Sequence, residues 1–149
     1  MDNTLVGTWR LISWTVTIGN RTVRPFGGAA VGLLTYTGDG RMNASLMRED
    51  RDLLDTHSFA QAHALDRAAA AVGYIAYAGT YVVDGDQVHH DVELSLFPDW
   101  VGTTQSRQIT WVDDAEHGTV LELSYIQPGN GREAANTLRW HRITTEDTT

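Results

Sequence analysis

The sequence predicts an all-β protein: an antiparallel barrel of eight to nine strands with one inserted helix. Segments rich in Val, Ile, Thr, Tyr and Trp follow one another through most of the 149 residues, parted by short turns of Gly, Asp, Asn and Pro. A single segment has helix composition, so the crossovers that parallel strands need are lacking and the strands run up and down. A sheet of that many strands with little to cover it must form a sandwich or close on itself, and a barrel of about eight strands has room inside for one small ligand.

The elements follow in order. Residues 5–18 read as the first strand, and Gly19-Asn20 as a tight turn. Residues 21–24 return briefly before Pro25-Phe26-Gly27-Gly28 interrupts them. Residues 31–37 and 41–48 form a hairpin about Gly38-Asp39-Gly40. Residues 49–56 are charged and read as a loop. Residues 58–72 are rich in Ala, Leu, Gln and Arg and read as a helix, with Ser58 as N-cap and Gly73 as its stop. Residues 74–83 and 88–97 make a hairpin about Asp84-Gly85-Asp86, and residues 98–102 are a loop. Residues 104–112, 119–127 and 136–143 complete the strands, joined by turns at 113–118 and 128–131, and 144–149 form a polar tail. The whole chain, 1–149, is expected to be one domain with its core at about 5–143.

Charge and composition exclude several classes. Nineteen acids against eleven bases give a net charge of -8, which disfavours nucleic acid as a partner. Every base is Arg, so a Schiff-base lysine and a P-loop lysine are absent, and with no Cys there is neither a disulfide nor a thiolate metal site. No segment approaches the ~20 apolar residues of a membrane span. The start Met1-Asp2-Asn3-Thr4 lacks the pattern of a secretory leader, and a cytoplasmic location is expected.

Gly7-Thr8-Trp9 at the start of the first strand, with Arg142 in the last, resembles the signature of the lipocalins and the wider calycin group. In that group the Trp closes one end of the barrel and the Arg stacks over it, a good cation–π pair. A longer ordered set, Leu5-Val6-Gly7-Thr8-Trp9-Arg10-Leu11, Pro25-Phe26-Gly27, Gly38-Asp39-Gly40-Arg41-Met42, Leu46-Met47-Arg48, Tyr77-Ala78-Gly79 and Phe97-Pro98-Asp99-Trp100-Val101-Gly102, resembles the lipocalin-like domain proteins of bacteria and fungi. This resemblance implies a lipocalin-like barrel with an apolar cavity, and with it Gly7, Trp9 and Arg142 as a structural plug. Such proteins look like ligand carriers, and small barrels of related shape serve secondary metabolism as cyclases or isomerases.

The residues that could carry chemistry come from strand alternation. In 88–96, His90 shares a face with Val88, Val92, Leu94 and Leu96, which points it into the barrel. It is a candidate acid/base or hydrogen-bond donor; the alternative is a buried neutral imidazole paired with a neighbouring hydroxyl. Tyr77, Arg107 and Tyr125 are the other catalytic candidates, able to polarise a carbonyl or move a proton. For Arg107 the alternatives are a surface position or an internal carboxylate partner. Trp14, Tyr36, Met47 and Trp100 are expected to contact ligand, although for any one aromatic taken alone core packing is the better account. His89 and His90 point to opposite faces and no His-x-His pair occurs, so no metal is expected, and no cofactor either. Ala68-Ala69-Ala70-Ala71 would let the helix pack on the barrel mouth as a lid, or on a second copy as a homodimer contact.

Three functions are consistent with these residues. The first is binding of a small, largely apolar molecule, aromatic or polyketide-like, in the barrel. The second is a cofactor-free cyclase or isomerase in the same cavity. The third is a barrel that acts through its surface.

Overall fold

Nine strands follow the turn signals of the sequence. They are β1 (Gly7–Ile18), β2 (Arg21–Val23), β3 (Val31–Tyr36), β4 (Arg41–Met47), β5 (Tyr74–Asp84), β6 (Gln87–Ser95), β7 (Thr104–Asp114), β8 (Gly118–Pro128) and β9 (Glu133–Arg142). The structure is a computed structural model and describes residues 4–129 and 131–144. The first three residues, Asn130 of the last turn and the tail from 145 onward lie outside the described residues.

All pairings are antiparallel, in the order β2-β1-β3-β4-β5-β6-β7-β8-β9, and β1 also pairs with β9. That last pairing closes β1 and β3–β9 into an eight-stranded barrel, and β2 is an extra strand beside the far end of β1. Closure leaves no sheet edge within the barrel. Inside, Trp9, Leu34, Tyr36, Val88 and Leu121 are fully buried and form the centre of the core.

The helix is shorter than the composition suggests. Residues Phe59–Gln61 form a 3-10 turn, and the α-helix α1 covers Ala64–Val72. Its N-cap is His63, not Ser58, because Ala62 and His63 both take extended backbone and break the run. Gly73 does end it, its N–H bonding to Ala69 O. No residue of α1 is buried, so the helix lies on the outside against β5. The loop after β6 contains a second 3-10 turn, Pro98–Trp100, which carries Trp100 to the barrel.

Two strand faces differ from the alternation read in the sequence. On β4 the inward residues are Met42, Ala44 and Leu46, so Met47 points outward. On β6 the alternation holds for Val88, His90 and Val92 and then fails. The register slips between Ala78 and Gly79: Gly79 pairs with Val92 but Ala78 with Leu94, leaving Glu93 as a β-bulge. Leu94 is therefore 69% exposed, Leu96 also lies outside, and Ser95 takes the place opposite Tyr77. Gly79 permits this, since a Cβ there would sit 1.9 Å from Asp91 O. Glu93, thrown outward, pairs with Arg41 at 2.6 Å.

Candidate functional site

The end marked by Gly7 and Trp9 is closed. Trp9 and Arg142 are cross-strand partners on β1 and β9, and the Arg142 guanidinium carbon lies 4.4 Å from the Trp9 ring centroid. Arg142 also donates to the backbone oxygens of Val6 and Thr4, which ties down the chain before β1. Gly7 has φ +138°, and a Cβ there would stand 2.7 Å from Arg142 Nη1, so only glycine leaves the guanidinium its place. The Trp9 indole N–H donates to Leu5 O at 2.9 Å.

Within the barrel is a mainly apolar cavity. About 50 Å³ of it is open to the centre of a water molecule. That is well below the roughly 150 Å³ of an apolar cavity that takes up benzene. Leu34, Leu46, Ile75, Leu123 and Leu138 supply much of the apolar wall. Trp14 and Trp140 add indole faces, and Trp100 stands edge-on to Tyr77 at 5.9 Å between centroids.

Four polar side chains meet this wall: Tyr77, His90, Arg107 and Tyr125. Each is placed by alternation on β5, β6, β7 or β8. His90, 1% exposed, is held between two phenols: its Nε2 is 2.6 Å from the Tyr36 hydroxyl and its Nδ1 is 2.8 Å from the Tyr77 hydroxyl. Burial, with smaller contributions from Arg107 and His89, lowers its pKa to about 3, so the imidazole is neutral near pH 7. Burial likewise pushes the Tyr36 and Tyr77 phenols up, and Tyr125 too.

A neutral imidazole has one N–H and one acceptor nitrogen, so the chain has two arrangements. Tyr36 can donate to Nε2 while Nδ1–H donates to the Tyr77 oxygen, which leaves the Tyr77 O–H free for a cavity acceptor. In the reverse arrangement Tyr77 donates to Nδ1, and Nε2–H donates to Tyr36. The two arrangements differ in the imidazole tautomer, so passing from the first to the second along the chain requires Tyr77 to give its outer proton to a cavity group and Tyr36 to gain one. The geometry is that of the buried neutral imidazole paired with hydroxyls, and one of those hydroxyls belongs to Tyr77, which lines the cavity.

Arg107 is half-buried and its guanidinium carbon lies 3.7 Å from the Tyr125 ring centroid. It donates to Ser106 O at 3.0 Å and to Gln105 Oε1 at 3.4 Å, both neutral oxygens. No Asp or Glu lines the cavity among the described residues. Arg107 is thus partly exposed, and the internal carboxylate expected as one alternative is not found among the described residues that line the cavity.

Of the ligand contacts expected from sequence, Trp14 and Trp100 line the cavity. Tyr36 is 1% exposed and stands behind His90, where it supports the imidazole but does not line the cavity. Met47 is on the outer face, in a shallow depression with Arg10, Leu33 and Tyr74. Leu46, one residue earlier, faces in.

Two contributors went unread in the sequence. Asn136 is buried, and its Oδ1 accepts the Trp14 indole N–H at 3.0 Å, fixing that ring. Trp140 is 2% exposed and lines the cavity, and its indole N–H has no hydrogen-bond partner. The signal was present: Asn136, Leu138 and Trp140 alternate on one face of β9. No group of three or more His, Cys, Asp or Glu among the described residues is placed to hold a metal ion. No helix among them is long and apolar enough to cross a membrane.

Comparison with known proteins adds two findings. The model of a family described as "Lipocalin-like domain" matches residues 6–143. The 4'-hydroxy-3'-methoxypropiophenone carrier protein of Aspergillus oryzae is 30% identical over 112 residues, which are 68% of this chain and 96% of that protein. No solved structure matches the chain.

Proposed function

The chain belongs to the lipocalin-like domain family, and on that premise we propose that it binds a small aromatic ketone in the barrel cavity. The observation that carries this reading is the pairing of an apolar wall with polar groups that remain free to meet an oxygen atom. Ile75, Leu123 and Leu138 suit a ring, Tyr77 suits a carbonyl, and Arg107 suits an oxygen rich in charge. The carrier named above supports the aromatic-ketone class, since the molecule in its name has one ring, a carbonyl and a hydroxyl. The open volume is below the roughly 150 Å³ of an apolar cavity that takes up benzene, so entry of even one ring requires lining side chains such as Trp100 or Tyr125 to swing aside. Localisation in the cytoplasm and action as a single-domain carrier belong to the same proposal.

A second reading rests on the Tyr36–His90–Tyr77 chain. A cofactor-free isomerase or cyclase needs a group that gives a proton at one atom and recovers it, and Tyr77 backed by a neutral imidazole can do both. The cavity would contribute by holding a flexible substrate in its reactive shape.

Titration with 4'-hydroxy-3'-methoxypropiophenone, followed by Trp fluorescence, tests the first reading. Saturable one-to-one quenching is expected, with the ketone recovered unchanged on chromatography. Tyr77→Phe should weaken binding by about tenfold, the loss of one buried hydrogen bond. Absence of saturable quenching refutes the reading, and conversion of the ketone to another compound establishes the enzyme in its place.

A further inference from the structure

The geometry points to a ligand held as an oxyanion: a hydroxyl conjugated with a carbonyl through an aromatic ring, taken up as its phenolate with the negative oxygen against the Arg107 guanidinium. This deepens the binding reading above and rests on it.

Arg107 brings a fixed positive charge to a wall that holds no Asp or Glu among the described residues. The titratable groups that face it are His90 from β6, Tyr77 from β5 and Tyr125 from β8, with Tyr36 of β3 behind His90. Burial keeps all four neutral near pH 7, so none of them balances the guanidinium. Its hydrogen bonds go to a backbone carbonyl and a side-chain amide, and the Tyr77 hydroxyl also lies within its hydrogen-bonding reach, all of them neutral oxygens that together take up three of the five N–H donors of an arginine. Tyr125 fixes one face of the guanidinium by stacking, which leaves the group held in place with donors to spare. A half-buried cation without a counter-ion is the condition under which an anionic ligand gains most.

The remaining polar atoms have the same bias. Tyr77 can turn its O–H to the cavity when His90 donates to its oxygen. Donors therefore outnumber acceptors among the groups a ligand can reach, which favours the charged form of an acid over its neutral form. The apolar wall opposes this, because burial alone raises the pKa of a phenol. The guanidinium decides the sign, since an opposite charge within about 4–6 Å lowers a pKa by roughly 1–3 units. Conjugation with a carbonyl also spreads the negative charge over the ring, so the rest of the anion can lie on an apolar surface.

Two probes separate this inference from the binding reading: 4'-hydroxyacetophenone, whose phenolate absorbs at longer wavelength than its phenol, and 4'-methoxyacetophenone, which cannot ionise. Fluorescence quenching first measures affinity for each. The absorbance of 4'-hydroxyacetophenone in excess protein is then followed from about pH 5 to about pH 9. The expected midpoint for the bound probe is at least about one unit below that of the free probe. Near pH 7 the hydroxy probe should bind more tightly than the methoxy probe. Arg107→Met should return the midpoint to the free value or above it and bring the ratio of the two affinities to about one. Arg107→Lys keeps the charge and should keep most of the shift. Each variant's fold is checked by its Trp emission, and if Arg107→Met does not fold the wild-type midpoint and the Lys variant still decide. Binding of both probes with the phenol spectrum retained and the midpoint unmoved overturns the oxyanion inference alone. Failure of both probes to bind overturns it together with the binding reading.

Discussion

Replacing His90 by Gln removes one titratable group from the barrel interior, and the pH dependence of stability should change by a calculable amount. In the unfolded chain His90 titrates near its ordinary value of about 6.5. In the folded protein burial holds it at about 3. Below about pH 6.5 the unfolded state therefore takes up a proton that the folded state refuses, and acid favours unfolding. The stability is fully present above the unfolded pKa and is lost as the pH falls from about 6.5 towards 3. Between about pH 7 and about pH 5 the wild-type protein should lose about 2 kcal/mol through this group. Asp50 and Asp114, whose pKa values are lowered by Arg48 and by backbone N–H groups respectively, also weaken the fold in acid, but they do so in both proteins. The difference between wild type and His90→Gln isolates the histidine. Urea unfolding followed by Trp fluorescence at three pH values supplies it. His90→Gln should start less stable near pH 7, since Tyr36 and Tyr77 lose a well-placed partner, and the gap should narrow by about 2 kcal/mol by about pH 5. Parallel stability curves for the two proteins would refute the buried neutral imidazole.

Other substitutions test the frame and the cavity. Gly79→Ala places a methyl where Asp91 O now lies, and should cost about 3 kcal/mol or more of stability, read from the urea midpoint. Arg142→Ala removes the stack on Trp9 and two bonds to the chain before β1, and should cost about 1–3 kcal/mol by the same measurement. Trp100→Ala opens the cavity beside Tyr77 and should weaken binding of an aromatic ketone about tenfold in a fluorescence titration, with little change in urea midpoint because the ring is only partly buried.

The barrel was legible because turn chemistry is local. Asp84-Gly85-Asp86 and Gly38-Asp39-Gly40 each mark a hairpin without reference to anything distant, and both hairpins are found in register. His90 was legible because Val88 and Val92 flank it at a period of two. What failed was alternation near a bulge. Leu94 and Leu96 carry the apolar pattern onward, but the slip opposite Gly79 turns them to solvent. The cause lies on another strand, where Asp91 O approaches within the space of a missing Cβ, and one strand read alone does not contain it. Leu46 and Met47 are both apolar, so composition gave no reason to prefer the inward one. The hydrogen bond from Trp14 to Asn136 spans 122 positions and depends on closure of β1 against β9. The resemblance of Gly7, Trp9 and Arg142 to the calycin signature reached across the whole chain, which periodicity could not do.

Nuclear Overhauser contacts between a bound aromatic ketone and the methyl groups of the protein test the central claim most directly. The ring protons of 4'-hydroxy-3'-methoxypropiophenone should show contacts to Ile75, Leu123 and Leu138, which face the cavity. Contacts confined to outward methyls such as those of Leu33 and Leu94 would place the ligand on the barrel surface and contradict it.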